Sequence, residues 1–145
     1  MMKNEVLIRP VSLNDSEFIT SLAIQLGSKV SFDVVKSQIH AILKKPDHFA
    51  FVAVVNDQVV GYIHCFTAIR LTSKPFTEIG GLVVDEKERG NGIGKLLVKH
   101  VEGLFNENRK VRVRCNSKRK LAHKFYTKLN YTVTKEQKIF EKNFR

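Results

Sequence analysis

The stretch TEIGGLVVDEKERGNGIGKLLVK, residues 77–99, restricts what this chain can fold into more than any other. Glu78 to Val84 ends in the apolar run Leu82-Val83-Val84, the length of a buried strand, and Asp85-Glu86-Lys87-Glu88 stops it. From Ile93 onward, Leu96, Leu97, His100, Val101, Leu104 and Phe105 recur at helical spacing, which predicts an amphipathic helix starting between Gly92 and Lys95. A helix start leaves backbone N–H groups without intrahelical partners and carries about half a positive charge, so exposed amides there suit a phosphate. Gly90, Gly92 and Gly94 remove side chains that would hold a ligand off those amides, and Arg89 and Lys95 add full charges on either side. The plain alternative is a tight turn, but three alternating glycines between two cations exceed what a turn requires.

Two phosphate-loop patterns fail here. The P-loop needs four residues between its glycines followed by Lys-Ser/Thr, and neither feature is present. The dinucleotide fingerprint needs GxGxxG and an acidic residue about 20 positions on, whereas residues 111–115 read Val-Arg-Val-Arg-Cys. The stretch resembles instead the acetyl-CoA motif of the GNAT superfamily of N-acetyltransferases. Arg89-Gly90-Asn91-Gly92-Ile93-Gly94 matches Arg-Gly-x-Gly-Ile-Gly at every fixed position. A second segment, residues 116–131, is similar to the superfamily's other recurring piece: Asn116 at a strand end, Ala122 and Phe125-Tyr126 on a helix, then Leu129-Asn130-Tyr131. Asn130 departs from the usual glycine; the position wants a left-handed backbone, for which asparagine is the next best residue.

The rest of the chain is read as follows. Glu5 to Arg9 is a first strand closed by Pro10. Ser12 to Asp15 offers caps for a helix with Phe18, Ile19, Leu22, Ala23 and Leu26 on one face, ended by Gly27. Ser31 caps a second helix with Phe32, Val35, Ile39, Ile42 and Leu43 inward, stopped by Pro46. Phe49–Val55 and Val59–Ile69 form a hairpin around Asn56-Asp57-Gln58, and Gly61 marks a bulge or close approach. Leu71 to Pro75 links to the central strand, where Gly80-Gly81 signals a second such place. Lys110 to Cys115 alternates into an apolar and a cationic face, and following a crossover helix it lies parallel to the central strand. Lys118–Leu129 is a short helix, and Tyr131–Val133 with Lys138–Phe144 a terminal hairpin.

The resemblance implies a single N-acetyltransferase domain over residues 1–145. Its fold is α/β: a three-layer domain with a mixed, mostly antiparallel sheet, a splayed central parallel strand pair and helices on both faces. It also implies acetyl transfer from acetyl-CoA, as co-substrate, to an amine of a small molecule or protein, by direct attack in a ternary complex. The CoA phosphates would sit on Arg89, Gly90, Asn91, Gly92, Ile93, Gly94 and Lys95. The pantetheine arm would pair with the backbone of Leu82, Val83 and Val84 as an added strand does, with an amide near Leu82 or Val83 on the thioester oxygen. Tyr126 is the expected acid for the departing thiolate, Asn116 a pantetheine ligand or helix cap, and Glu78 the leading base, since an arriving ammonium must lose a proton. Tyr62 and His64 stand behind Glu78. His40, His48, His100 and His123 are scattered, so no metal is expected.

Charge is uneven: residues 109–145 hold 13 of the 25 Lys/Arg and 2 of the 14 Asp/Glu, which supplies the whole net +11. That cluster suits a polyanionic cofactor or a solvated surface better than nucleic acid, because aromatic-basic interleaving is thin. The readings to set against a transferase are a non-catalytic acyl-CoA-binding module and a nucleic-acid-associated basic protein. No run of 18 apolar residues suggests a membrane span, and two cysteines without motif spacing, Cys65 and Cys115, read as reduced thiols. A cytoplasmic setting is expected, and a homodimer is left open.

Overall fold

Two residues, Asn56 and Asp57, turn the chain between its second and third strands. Their φ angles of 49° and 62° are the left-handed pair that a two-residue hairpin demands and that Asn and Asp tolerate best. The computed structural model describes residues 5–105 and 109–144. In order, its elements are β1 (Leu7–Pro10), a 3-10 turn (Leu13–Asp15), α1 (Ser16–Gln25), α2 (Phe32–Leu43), β2 (His48–Val55), β3 (Gln58–Arg70) and β4 (Ser73–Val84). A second 3-10 turn (Glu86–Glu88), α3 (Ile93–Glu102), β5 (Val111–Val113) and α4 (Lys120–Lys128) follow. The sheet order is β1-β2-β3-β4-β5; every neighbouring pair is antiparallel except β4 and β5, which are parallel. The chain divides into two compact units, residues 1–114 and 115–145.

In the first unit, α1 and α2 cover one sheet face. Ile19 and Leu22 of α1 and Val35 and Ile39 of α2 pack with Val11, Val52, Val59 and Val83. Each such side chain removed from water contributes about 1.5–3 kcal/mol. Gly27, at φ 94°, ends the α1 segment, and Ser31 Oγ accepts the Val34 N–H at 3.3 Å to start α2. Phe18, Leu26, Phe32 and Leu43, expected inward, are exposed. Two short helices side by side each turn only a narrow stripe to the sheet, so the flanks of the expected faces stay in water.

The other face carries α3, whose buried residues are Ile93, Leu97, Val98 and Val101. Leu96, placed in the predicted stripe, is exposed, and Val98 takes its place. Gly61 fulfils the expected close approach: a Cβ there would stand 3.1 Å from Val83 O and 3.4 Å from Leu97 Cδ1. β4 begins at Ser73, earlier than the expected link to Pro75, because it pairs back on β3 through Arg70↔Ser73. Pro75 is tolerated there, ahead of the first β5 pairing at Thr77, where β4 is still an edge.

In the second unit, α4 ends at Lys128, and Asn130 just beyond it adopts φ 71° as its position requires. The Tyr131 N–H closes the helix end onto Tyr126 O at 3.0 Å. The expected terminal hairpin is absent: residues 131–144 contain no strand, turn or bend. The connecting Thr134-Lys135-Glu136-Gln137 has none of the Gly, Pro, Asn or Asp residues that reverse a chain.

Candidate active site

β4 pairs with β5 at only three positions, Thr77↔Val111, Glu78↔Arg112 and Ile79↔Val113. It then runs on to Val84, held on its other side by β3 through Ile63↔Leu82, Tyr62↔Val83 and Gly61↔Val84. One backbone edge of Gly80–Val84 therefore has no strand partner among the described residues. The change coincides with a bulge: His64 faces Gly81 while Cys65 faces Ile79, which leaves Gly80 as the extra residue. Glycine is required there, since a Cβ on Gly80 would lie 2.9 Å from His64 Nδ1.

The open edge of β4 leads into the glycine turn. Gly90 and Gly92 have φ of 84° and 80°, and nothing lies within 4 Å of where their Cβ atoms would be. Backbone conformation, not crowding, selects glycine at both, and the space beside them stays clear. Gly92 is the N-cap of α3 and no side chain caps it; the first amide to bond back is that of Leu96, to Gly92 O at 3.0 Å. The amides of Ile93, Gly94 and Lys95 thus belong to an uncapped helix start. Arg89 Nε donates to Val84 O at 3.4 Å, tying the turn to the strand end, and Asn91 Nδ2 donates to Glu88 Oε2 at 3.3 Å.

A polar row crosses the sheet beside the bulge. Glu78 Oε1 accepts two bonds from Arg112, one from Nε at 2.8 Å and one from Nη2, and Arg114 Nε lies 3.6 Å away. Arg112, on the cationic face of its strand, is thereby engaged by Glu78. On the neighbouring strands, His48 Nδ1 and His64 Nε2 are 3.0 Å apart, with their rings stacked and Phe66 against both. Burial, helped by the neighbouring His48, lowers His64 to about 4, so it is neutral at pH 7. Burial alone pushes the Cys65 thiol up to about 12 and removes it as a nucleophile.

Beside this row, a cleft of about 180 Å³ lies between the helical pair and the sheet. Val30, Val34 and Ile42 line it from the helical side, Tyr62 and His64 from the strand next to Gly80-Gly81, and no Asp or Glu lines it.

The second unit holds the other two expected residues. Asn116 Oδ1 accepts the Lys118 N–H at 2.9 Å, a local turn that occupies the oxygen expected to cap a helix or meet pantetheine. Tyr126 is buried on α4 with Phe125 and Tyr131 edge-on to its ring. Burial, then Cys115, raises its hydroxyl well above the ordinary tyrosine value, against the opposing pull of Arg119. It is therefore protonated at neutral pH.

The His48–His64 contact could not be read from the sequence, because counting back from Asn56-Asp57 sets His48 opposite Cys65. The one-residue register shift between Ala53 and Val54 moves His48 opposite Phe66 and Ala50 opposite His64, so the two histidines share a face two residues apart.

A model of the acetyltransferase (GNAT) family matches residues 18–131. No curated protein sequence matches the chain. Among solved structures, aminoglycoside N-acetyltransferase AAC(6')-Iy in complex with CoA superposes with a TM-score of 0.86 at 18% identity, covering 99% of this chain and 98% of that one. AAC(6')-Ih from Acinetobacter baumannii gives 0.84 at 17% identity, covering 97% and 100%. The aminoglycoside acetyltransferase meta-AAC0020 from an uncultured soil metagenomic sample, in complex with sisomicin, gives 0.76 at 20% identity, covering 97% of each chain. At these identities the likeness speaks for the fold: a five-stranded mixed sheet with one parallel pair, β4 and β5.

Proposed function

Because this chain belongs to the acetyltransferase (GNAT) family and is thereby an acetyl-CoA-dependent N-acetyltransferase, we propose a direct transfer within one ternary complex, carried out by a single domain over residues 1–145. The observation that carries the reading is the abrupt end of β4–β5 pairing at Ile79↔Val113, with β4 continuing into an uncapped, glycine-flanked helix start. Pantetheine adds along the free edge at Leu82, Val83 and Val84, and the pyrophosphate rests on the amides and cations from Arg89 through Gly90, Asn91, Gly92, Ile93 and Gly94 to Lys95. The amine nitrogen forms a bond to the thioester carbon, an amide of β4 holds the developing oxyanion, and the carbon–sulfur bond breaks. Tyr126 gives its proton to the leaving thiolate, and Asn116 steadies the pantetheine through its remaining amide group. The buried thiol of Cys65 supports direct attack over a covalent acyl-cysteine intermediate.

The acceptor's proton passes to Glu78. Its Oε1 is taken by the arginines, so Oε2 receives the ammonium and hands the proton on toward water. Several relatives are named for aminoglycosides, which are polycations, yet the cleft beside Gly80 offers no carboxylate and an almost wholly apolar wall. We therefore assign an acceptor with one reactive amine on an apolar body. The setting is cytoplasmic, where the free thiols Cys65 and Cys115 remain reduced.

Thiol release from acetyl-CoA, measured over apolar monoamines, peptide N-termini, lysine peptides and aminoglycosides, tests both parts. Turnover should be highest with apolar monoamines or apolar N-termini. Preference for aminoglycosides overturns the acceptor assignment; tight acetyl-CoA binding with no release for any amine leaves an acyl-CoA-binding module instead.

A further inference from the structure

Four cations gather round a single carboxylate on one face of the sheet. Glu78 accepts from Arg112 and lies 3.6 Å from Arg114 Nε. Two residues back along β4, the Phe76 ring has three positive groups about it: Lys110 Nζ at 4.6 Å from its centre, Arg112 Cζ at 4.5 Å and Arg70 Cζ at 5.7 Å. Phe76 is only 2% exposed, so the ring is a fixed floor, and its attraction for cations holds them over it. Among the described residues neither Arg70 nor Lys110 forms an ion pair, and Asp47, which borders the same depression as Arg70, makes none with it. Solvated cations with nothing to bind spread apart. Here they converge with one negative charge among them, which is the electrostatic form of an anion site.

Strand register ties this floor to the place of transfer. Ala68↔Phe76 and Phe66↔Glu78 are opposite pairs, and opposite residues share a face. His64, two residues before Phe66, packs on it from the same face and lines the apolar cleft. Cleft, Glu78 and Phe76 therefore follow one another across one surface, all of it within residues 1–114. At about 3.3 Å per residue, Phe76 lies roughly 13 Å along β4 from Gly80, the span of about four residues of extended peptide.

We infer that Arg70 and Lys110, over the Phe76 ring, form a carboxylate subsite for the acceptor, which is a peptide N-terminus with an apolar first residue and an acidic residue at about the fourth position. The inference rests on the transferase reading and narrows its acceptor. The reactive amine stands between two arms: the first side chain enters the cleft, which no Asp or Glu lines, while the chain runs past Glu78 to the cations. An amine on a carbon that bears both an apolar branch and a longer chain is the make-up of a peptide N-terminus, whereas a linear amine has a single arm. Arg112 is held by Glu78, so the guanidinium of Arg70 takes the carboxylate's two oxygens and Lys110 adds a point charge.

Calorimetric binding of two peptide amides, Leu-Ala-Ala-Glu and Leu-Ala-Ala-Gln, to the CoA-saturated protein tests it, with thiol release from acetyl-CoA measured in parallel. The wild-type protein should bind the Glu peptide about 10-fold more tightly, the effect of one partly exposed carboxylate on two cations. That preference should fade at high ionic strength. In Arg70→Met/Lys110→Met, which keeps apolar stems over Phe76 and removes both charges, the ratio of the two affinities should fall to about one. Equal affinity for the two peptides in the wild type, no binding of either, or a preference that survives in the double variant overturns the inference; the wild-type comparison decides alone should the variant fail to fold. A preference for the Glu peptide with no thiol released for any amine supports the subsite and overturns the transfer reading instead, so the two failures are told apart.

Discussion

Acidification forces the His48–His64 pair to take up a proton in a place that disfavours it. His64 stands at about 4 in the fold against an ordinary 6.5, lowered by burial and then by His48. A depressed histidine value means that the unfolded chain binds the extra proton first. The stability tied to neutral His64 is therefore complete above pH 6.5 and drains away as pH falls toward 4. At pH 5 an unfolded imidazole is almost fully charged and the folded one mostly neutral, a difference of about 2 kcal/mol. The ring is only half-buried, so screening trims this to about 1–2 kcal/mol. Urea unfolding between pH 7.5 and 5 should show the wild-type protein losing that much more stability than His64→Gln. His48→Gln should fall between the two, because it removes the neighbouring charge and leaves the burial. Parallel stability curves for wild type and His64→Gln would refute the reasoning.

Tyr126→Phe should lower kcat by roughly 10²-fold while leaving the Kd for acetyl-CoA unchanged in calorimetry; unaltered turnover removes Tyr126 from the chemistry. Glu78→Gln strands the Arg112 guanidinium and should cost about 1.5–3 kcal/mol in denaturant unfolding. If Glu78 also receives the ammonium, kcat/KM for the amine falls far more than that for acetyl-CoA, and an equal fall in both argues for a purely structural ion pair. Gly92→Ala places a side chain at φ 80° and should destabilise by about 1–2 kcal/mol, with a raised KM for acetyl-CoA. Gly80→Ala drives a methyl group to 2.9 Å from His64 Nδ1 and should cost about 1–3 kcal/mol in stability.

The architecture was legible where local chemistry dictates backbone shape. Asn56-Asp57, Gly61, the bulge at Gly80 and the left-handed Asn130 were each marked by residue types suited to their conformation, and the structure uses them so. The motif-bearing strand, turn and helix were readable for the same reason. Burial on the helices was less so, because periodicity names a face but not its width: Leu96 and Phe32 lie on the expected stripes and still meet water. Partnerships across strands depend on register, which one bulge shifts by a residue. In the sequence Arg112 belongs only to a cationic face, and the pairing Glu78↔Arg112 sets it opposite a carboxylate. The terminal hairpin was inferred from two apolar runs without a turn sequence between them, and the missing turn was the better guide.

Hydrogen exchange on the free protein and on the protein saturated with CoA measures the central proposition most directly. The account predicts that amides of Leu82–Val84 and of Gly90–Leu96 gain protection together, since the same ligand lies along the open β4 edge and on the α3 start. Saturating CoA that leaves both segments exchanging at their free rates contradicts it, whatever the amine assays show.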